Sequence, residues 1–312
     1  MVGIRKYFED NARWWVLNAY KAAGYDYPTA FHRARIVLKF ISGLNKKKLN
    51  IIDLGCGGGN LTFQLARAGY AILGVDQSQK MIDLAESRRR ELSEKIQGRV
   101  QFSLGTIDEK MNFGKKFDIV IAMGLIGYLP NDKILFKIAN NLLKPNGYLL
   151  VSCRNRLFNM VSISKNTEKE IKNNEALKLI KELKSLYTSV SEEDANKFVK
   201  SFKKIAVNLP EKMSFGKKSA LSAFGKHVSR VSALNSEPRQ STPEQLKRIA
   251  LKYGFKHKIY YGVHPHLMDP NLNKILPPGV FNKISGCLEV LEHLPISLVW
   301  SSVFIGAFQK LK

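Results

Sequence analysis

Two carboxylates and a run of glycines are the residues most suited to chemistry in this chain. Asp53 stands two residues before Gly55-Cys56-Gly57-Gly58-Gly59, and Asp76 follows 23 residues after Asp53. Glycines at such a place let the backbone turn sharply and come close to a ligand, and a helix that starts there offers free N–H groups. An acid at the end of the next strand is placed to accept from both hydroxyls of a ribose. The bland alternative is a tight turn with a surface aspartate, and it accounts for only part of this arrangement.

A second set of residues has types suited to proton transfer. His264 and His266 occur together in Val263-His264-Pro265-His266, His227 lies in a basic stretch, and Tyr128 follows an apolar run. Histidine titrates near neutrality, which makes it a natural general base. A metal site built on His264, His266, Asp269 and Glu289 is disfavoured, because the spacing is short and no organised carboxylate follows. No metal is expected.

The elements that would carry these groups follow from the hydrophobic pattern. Residues 5–43 read as helical, with Trp14, Trp15, Tyr20 and Tyr27 as helix packing or as a cover over the site. Leu49 to Leu54 is a strand that ends in the glycine turn, and Leu61 to Ala68 is helical. Further strands are expected at Ala71 to Val75, Val100 to Leu104, Phe117 to Ala122 and Tyr148 to Cys153, with helices at Ser78 to Lys95 and Asp132 to Leu143. Alternation of this kind predicts a parallel, doubly wound α/β sheet.

After Cys153 the alternation stops, and residues 156–238 carry helical patterns such as Glu168 to Tyr187 and Glu192 to Ile205. The expectation is an inserted helical lid. Thr242-Pro243-Glu244-Gln245 then has the residues of a capped helix start, ending near Gly254. Phe255 to Val263 and Leu298 to Gln309 are the last expected strands. The domain reading is therefore a helical cover at 1–44, a core at 45–155 and 239–312, and the insertion at 156–238.

Four blocks in order resemble the class I S-adenosylmethionine-dependent methyltransferases, of the broad ubiquinone-type and sugar-modifying kinds. They are Ile51-Ile52-Asp53-Leu54-Gly55-Cys56-Gly57-Gly58-Gly59; Gly74-Val75-Asp76-Gln77-Ser78 with Met81; Phe117 to Ala122; and Leu142 to Leu149. Dinucleotide dehydrogenases usually lack the acid matched by Asp53. The resemblance implies a Rossmann-like, seven-stranded sheet and S-adenosyl-L-methionine as cofactor. It places Gly55, Cys56, Gly57 and Gly59 under the cofactor, Asp53 near its amino group, and Asp76 on the ribose. Gln77 and Met81 would flank adenine, and Met123 and Gly124 would approach the sulfonium. Relatives often carry an acid after the third strand. Gly105-Thr106-Ile107-Asp108 has threonine there, which leaves Thr106 or Asp108 for the adenine amine.

Composition bounds the rest. The 312 residues carry 50 Lys and Arg against 26 Asp and Glu, a formal charge of +24. The richest stretch runs from Lys200 to Arg230, where eight basic residues (Lys200, Lys203, Lys204, Lys212, Lys217, Lys218, Lys226 and Arg230) face one acid, Glu211. It suggests contact with an anionic acceptor or an anionic membrane surface, unless these lysines are only a solvated face. The three cysteines lie far apart and no apolar run is long enough to span a bilayer, so a cytoplasmic protein is expected, with peripheral attachment to the inner membrane face as an extension. The expected reaction is methyl transfer to an O or N atom of a small molecule such as a sugar, lipid or quinone-type intermediate. An RNA methyltransferase and a catalytically silent partner subunit are the alternatives, and no base-flipping motif or appended RNA-binding module favours nucleic acid.

Overall fold

The computed structural model describes residues 2–18, 27–46, 48–207, 238–267 and 280–311. Three helices come first: α1 (Val2–Asp10), α2 (Ala12–Asn18) and α3 (Thr29–Gly43). The alternating part follows as β1 (Asn50–Leu54), α4 (Asn60–Arg67), β2 (Ala71–Asp76), α5 (Gln79–Arg90), α6 (Glu94–Gln97), β3 (Val100–Leu104), β4 (Phe117–Ala122), α7 (Asp132–Leu142) and β5 (Leu143–Asn155). Helices α8 (Asn159–Ser162), α9 (Lys165–Lys172), α10 (Ala176–Leu186) and α11 (Glu192–Ala206) form the described part of the insertion. The chain returns through β6 (Gln240–Ser241), α12 (Pro243–Lys252), β7 (Phe255–Pro265), α13 (Val280–Gly286), α14 (Ser297–Trp300) and β8 (Ser301–Lys310).

The strands form one sheet in the order β3-β2-β1-β4-β5-β8-β7, and the two-residue β6 pairs with β5 off this path. Strands β1 to β5 run parallel, while β8 is antiparallel to both β5 and β7. The carboxyl ends of β1, β2, β4, β5 and β7 therefore share one edge, where ligands sit in open α/β sheets. Both faces are covered, which is why the inner strands are apolar without alternation. Leu135, Phe136 and Ile138 of α7 pack with Leu246 and Ala250 of α12 on one side. Ala34, Val37 and Ile41 of α3 pack with Leu61 and Leu65 of α4 on the other.

Local chemistry sets several boundaries. Thr242 and Gln245 close a reciprocal capping box with Pro243 inside it, an arrangement whose cap alone is worth about 1 kcal/mol. The expected helix from Glu168 to Tyr187 is two helices, because Asn174 takes a left-handed φ of 58° between α9 and α10. The expected helix from Ser78 to Lys95 likewise stops at Arg90 and restarts at Glu94. The strand expected from Leu298 begins at Ser301, after the short helix α14. Helix α13 and the 3-10 turn Cys287–Leu291 lie where only loop was expected.

Candidate functional site

The glycine turn leaves β1 at the shared edge. Gly55 and Cys56 donate their N–H groups to Val75 O at 2.8 and 3.1 Å, which ties the turn to β2. Asp76 fixes it further: Gly57 N–H donates to Asp76 Oδ2 and Ser78 N–H to Asp76 Oδ1, each at 2.9 Å. Burial pushes the Asp76 carboxyl up, and these backbone donors oppose the rise. Ser78 also caps α5 through Met81 N–H. The Met81 side chain lies beneath the turn, with its sulfur 3.8 Å from where a Gly57 Cβ would stand and nothing nearer. Gly57 is at φ +53°, a conformation that other residues adopt only with strain.

Gly58 has a different reason to lack a side chain. A Cβ there would lie 2.2 Å from Val16 Cγ2 on α2, and Asn60 donates to Val16 O at 3.2 Å. The N-terminal helices thus rest on the glycine turn, with Trp14 and Trp15 of α2 beside that contact. Their rings pack edge to face at 5.3 Å, and Trp15 and Tyr128 both contact Phe8 of α1. Gly59 is the N-cap of α4 and sits against Phe102, so packing accounts for it as well.

Asp53 is only 2% exposed. Thr62 Oγ1 donates to its Oδ2 at 2.8 Å. Burial pushes the carboxyl up to about 7, with the Thr62 hydrogen bond opposing and Asp76 adding to the rise. Cys56 lies between the two acids, and burial followed by the charges of Asp53 and Asp76 holds its thiol protonated. After β3, Ile107 joins the core, Thr106 is exposed, and Asp108 accepts from Lys110 N–H within its own turn. Gln77 is half-buried beside Asp76.

Next along the same edge, Gly124 N–H donates to Ser152 Oγ at 2.7 Å, and Arg33 Nη1 of α3 donates to the same oxygen at 3.1 Å. Met123 packs below, between the α3 and β7 clusters. Tyr128 closes the 3-10 turn Ile126–Tyr128, its phenol pushed up by burial against the opposing charges of Arg154 and Arg33.

His264 of β7 and His266 just beyond it belong to a column of rings. His32 stacks on Tyr27 at 4.9 Å and Tyr27 on His264 at 4.5 Å, while His264 meets His266 at 4.4 Å and His266 meets Phe158 at 4.6 Å with tilted rings. Glu289 anchors this column, accepting from the Tyr27 hydroxyl at 2.7 Å and pairing with His32 at 3.0 Å. His264 has φ +57°, unusual for a residue with a Cβ, and its Nδ1 lies 2.9 Å from Ser302 Oγ. Burial, then the neighbouring His266, His32 and Arg33, hold its pKa well below the ordinary value. The sequence marked His264, His266 and Tyr128 but not Arg33, Ser152 or a structural role for Glu289. No short motif joins these residues, and only their convergence in space marks them.

Several expected site residues fall elsewhere. His227, Tyr20, and Lys212, Lys217, Lys218, Lys226 and Arg230 lie outside the described residues. Lys200, Lys203 and Lys204 are exposed on α11. Among the described residues, no cluster of three metal-ligating side chains occurs, and no helix is long and apolar enough to cross a membrane.

Comparison with known proteins places this geometry. Residues 45–206, just over half of the chain, match the family described as "Methyltransferase domain". The "Ubiquinone biosynthesis O-methyltransferase" of Azorhizobium caulinodans is 36% identical over 110 residues, covering 35% of this chain and 42% of that protein. The protein of the same name in Bartonella tribocorum is 32% identical over 133 residues, 41% of this chain and 51% of its own length. The chain thus spans about half the length of these curated relatives. Among solved structures, the magnesium protoporphyrin IX methyltransferase of Synechocystis PCC 6803 with bound SAH aligns over 98% of both chains, with a TM-score of 0.54 and 13% identity. At that identity the likeness concerns the fold.

Proposed function

The chain belongs to the class I S-adenosylmethionine-dependent methyltransferases, and from that premise we propose that it methylates an O or N atom of a small acceptor such as a sugar, lipid or quinone-type intermediate. The observation that carries the proposal is the pinning of Asp76 by Gly57 and Ser78 N–H beside an open Gly57. Each Asp76 oxygen keeps a lone pair for one hydroxyl of a ribose, and the space over Gly57 and Met81 fits the nucleoside. Gly55 and Gly57 would lie under the methionine part, with Asp53 near its amino group. Gln77 and Met81 would flank the base, with Thr106 or Asp108 at its amine. Met123 and Gly124 would line the reacting end. When bound, the cofactor supplies a methyl carbon already activated by a sulfonium.

What the chain itself must do is hold the acceptor in line and manage one proton. Tyr128 keeps its proton at neutral pH and is suited to donate a hydrogen bond. His264 is held neutral, so its imidazole can accept a hydrogen bond from an acceptor hydroxyl. Its hydrogen bond to Ser302 and its stacking on Tyr27 fix the ring. His266 then acts through His264 as packing. The likeness to ubiquinone biosynthesis O-methyltransferases supports a quinone-type acceptor.

The test is incubation of the full chain with methyl-labelled S-adenosylmethionine and separate lipid, small-metabolite, protein and RNA fractions. Label in the lipid or small-metabolite fraction supports the reading. Label confined to RNA or protein, or no SAH binding at all, refutes it.

A further inference from the structure

Cationic groups meet on one face of the sheet, at the carboxyl edge beyond the glycine turn. On β5, Ser152 and Arg154 are two residues apart and so share a face. Their partners across β8 are Ile305 and Val303, which pack with Ile36 of α3 and Val263 of β7. The face is therefore the one that α3 covers. From α3, Arg33 reaches this row and donates to Ser152 Oγ at 3.1 Å. A rise of about 3.3 Å per residue sets the Arg154 backbone roughly 7 Å farther out.

Among the described residues the exposed Arg154 side chain has neither an ion pair nor a hydrogen bond. Among the described residues, the acids beside α3 have partners of their own: Glu289 pairs with Tyr27 and His32, Glu292 with Arg35 and Lys39. The charged groups acting on Tyr128 include both Arg154 and Arg33, and Arg33 also acts on His264. An exposed guanidinium such as that of Arg154, on the face that Arg33 also reaches, is open to an incoming anion. A planar fork of donors matches the oxygens of a carboxylate or phosphate.

We propose that the acceptor carries an oxyanion, a carboxylate or a phosphate monoester, which Arg33 and Arg154 bind beside Tyr128. This rests on the reading of the cleft as a methyl-acceptor site and narrows it to acidic acceptors. Ser152 is the preorganising element, since it holds Arg33 against the end of β4 before anything binds. The exposed Lys200, Lys203 and Lys204 of α11 have no part in the recognition.

The experiment measures binding to the SAH-loaded full chain by saturation-transfer NMR and calorimetry. The probes are 4-hydroxybenzoate, phenyl phosphate and the neutral 4-hydroxybenzamide. At least one anionic probe is expected to bind ten times more tightly than the amide or better, and which one binds identifies the oxyanion. Arg154→Gln and Arg33→Gln should each weaken that probe at least tenfold while changing SAH affinity less than twofold. Equal binding of the amide, or unaltered probe binding in both variants, overturns the proposal. So does a tenfold loss of SAH affinity in Arg33→Gln, which would assign that guanidinium to the cofactor. Failure of the parent chain to bind SAH would instead refute the methyltransferase reading itself.

Discussion

Replacing Asp53 by Asn should stabilise the ligand-free chain at high pH and leave it unchanged in acid. The side chain is buried, with Thr62 Oγ1 as its hydrogen-bond donor, and its pKa is raised from the ordinary 3.8 to about 7. A raised carboxyl pKa means that the folded chain holds this proton more tightly than the unfolded one. The associated stability is fully present below about pH 4 and is lost as pH rises through about 7. At about 1.4 kcal/mol per unit, the shift corresponds to a loss of at most about 4 kcal/mol. Asn keeps the shape and can still accept from Thr62, yet never ionises. Urea unfolding from pH 4 to 8.5 should show the variant gaining about 1 to 4 kcal/mol on the parent at the alkaline end, with the same m-value. An ammonium group bound beside Asp53 would favour its ionised form, so SAH affinity of the parent should weaken about tenfold per unit below pH 7, and that of the variant should not. Parallel stability curves for parent and variant would refute the reasoning about burial.

Gly57→Val should keep the far-ultraviolet circular dichroism of the parent and lose SAH binding, since a valine at φ +53° is strained and fills the space above Met81; normal calorimetric affinity would show that the turn does not face the cofactor. Asp76→Ala releases the Gly57 and Ser78 N–H groups and should weaken SAH by about 1.5 to 3 kcal/mol; an unchanged titration removes Asp76 from the site. Gly58→Ala places a Cβ 2.2 Å from Val16 Cγ2 and should expose the N-terminal helices to proteolysis, with Val16→Ala in the same chain restoring most of the protection. If the double variant is cut as fast as the single one, α2 does not rest on this turn.

The proposed cofactor end was legible in the sequence because its signals are local. Asp53, the glycines and Asp76 lie within 24 residues, and one strand-turn-helix-strand unit brings them together. The apolar runs located the main strands for the same reason, since hydrophobic periodicity needs only neighbouring residues. Where expectations slipped, a single backbone conformation decided the matter. Asn174 at φ 58° splits α9 from α10, and nothing in the apolar pattern marks it. The hydrophobic reading also ran Leu298 into β8, whereas Ser297 Oγ donates to Leu294 O and Glu292 O and holds the first turn of α14.

The acceptor end has no such local code. Tyr27 and Glu289 are 262 positions apart and Arg33 and Ser152 are 119 apart, so no spacing rule could pair them. They meet because α3 lies across β7 and β8, and because the antiparallel return of β8 brings Ser302 beside His264. This gives the two halves of the cleft different sensitivities. A substitution at Gly57 or Asp76 acts on a tightly bonded unit and should affect cofactor binding alone. A substitution at Glu289 loosens Tyr27 and His32 together, and through Tyr27 the stacked His264. On the proposed reading, acceptor specificity depends on how the N-terminal helices and Glu289 are held against the sheet. Changes at Tyr27 or Glu289 can alter that hold while leaving the proposed nucleoside turn at Gly57 and Asp76 intact.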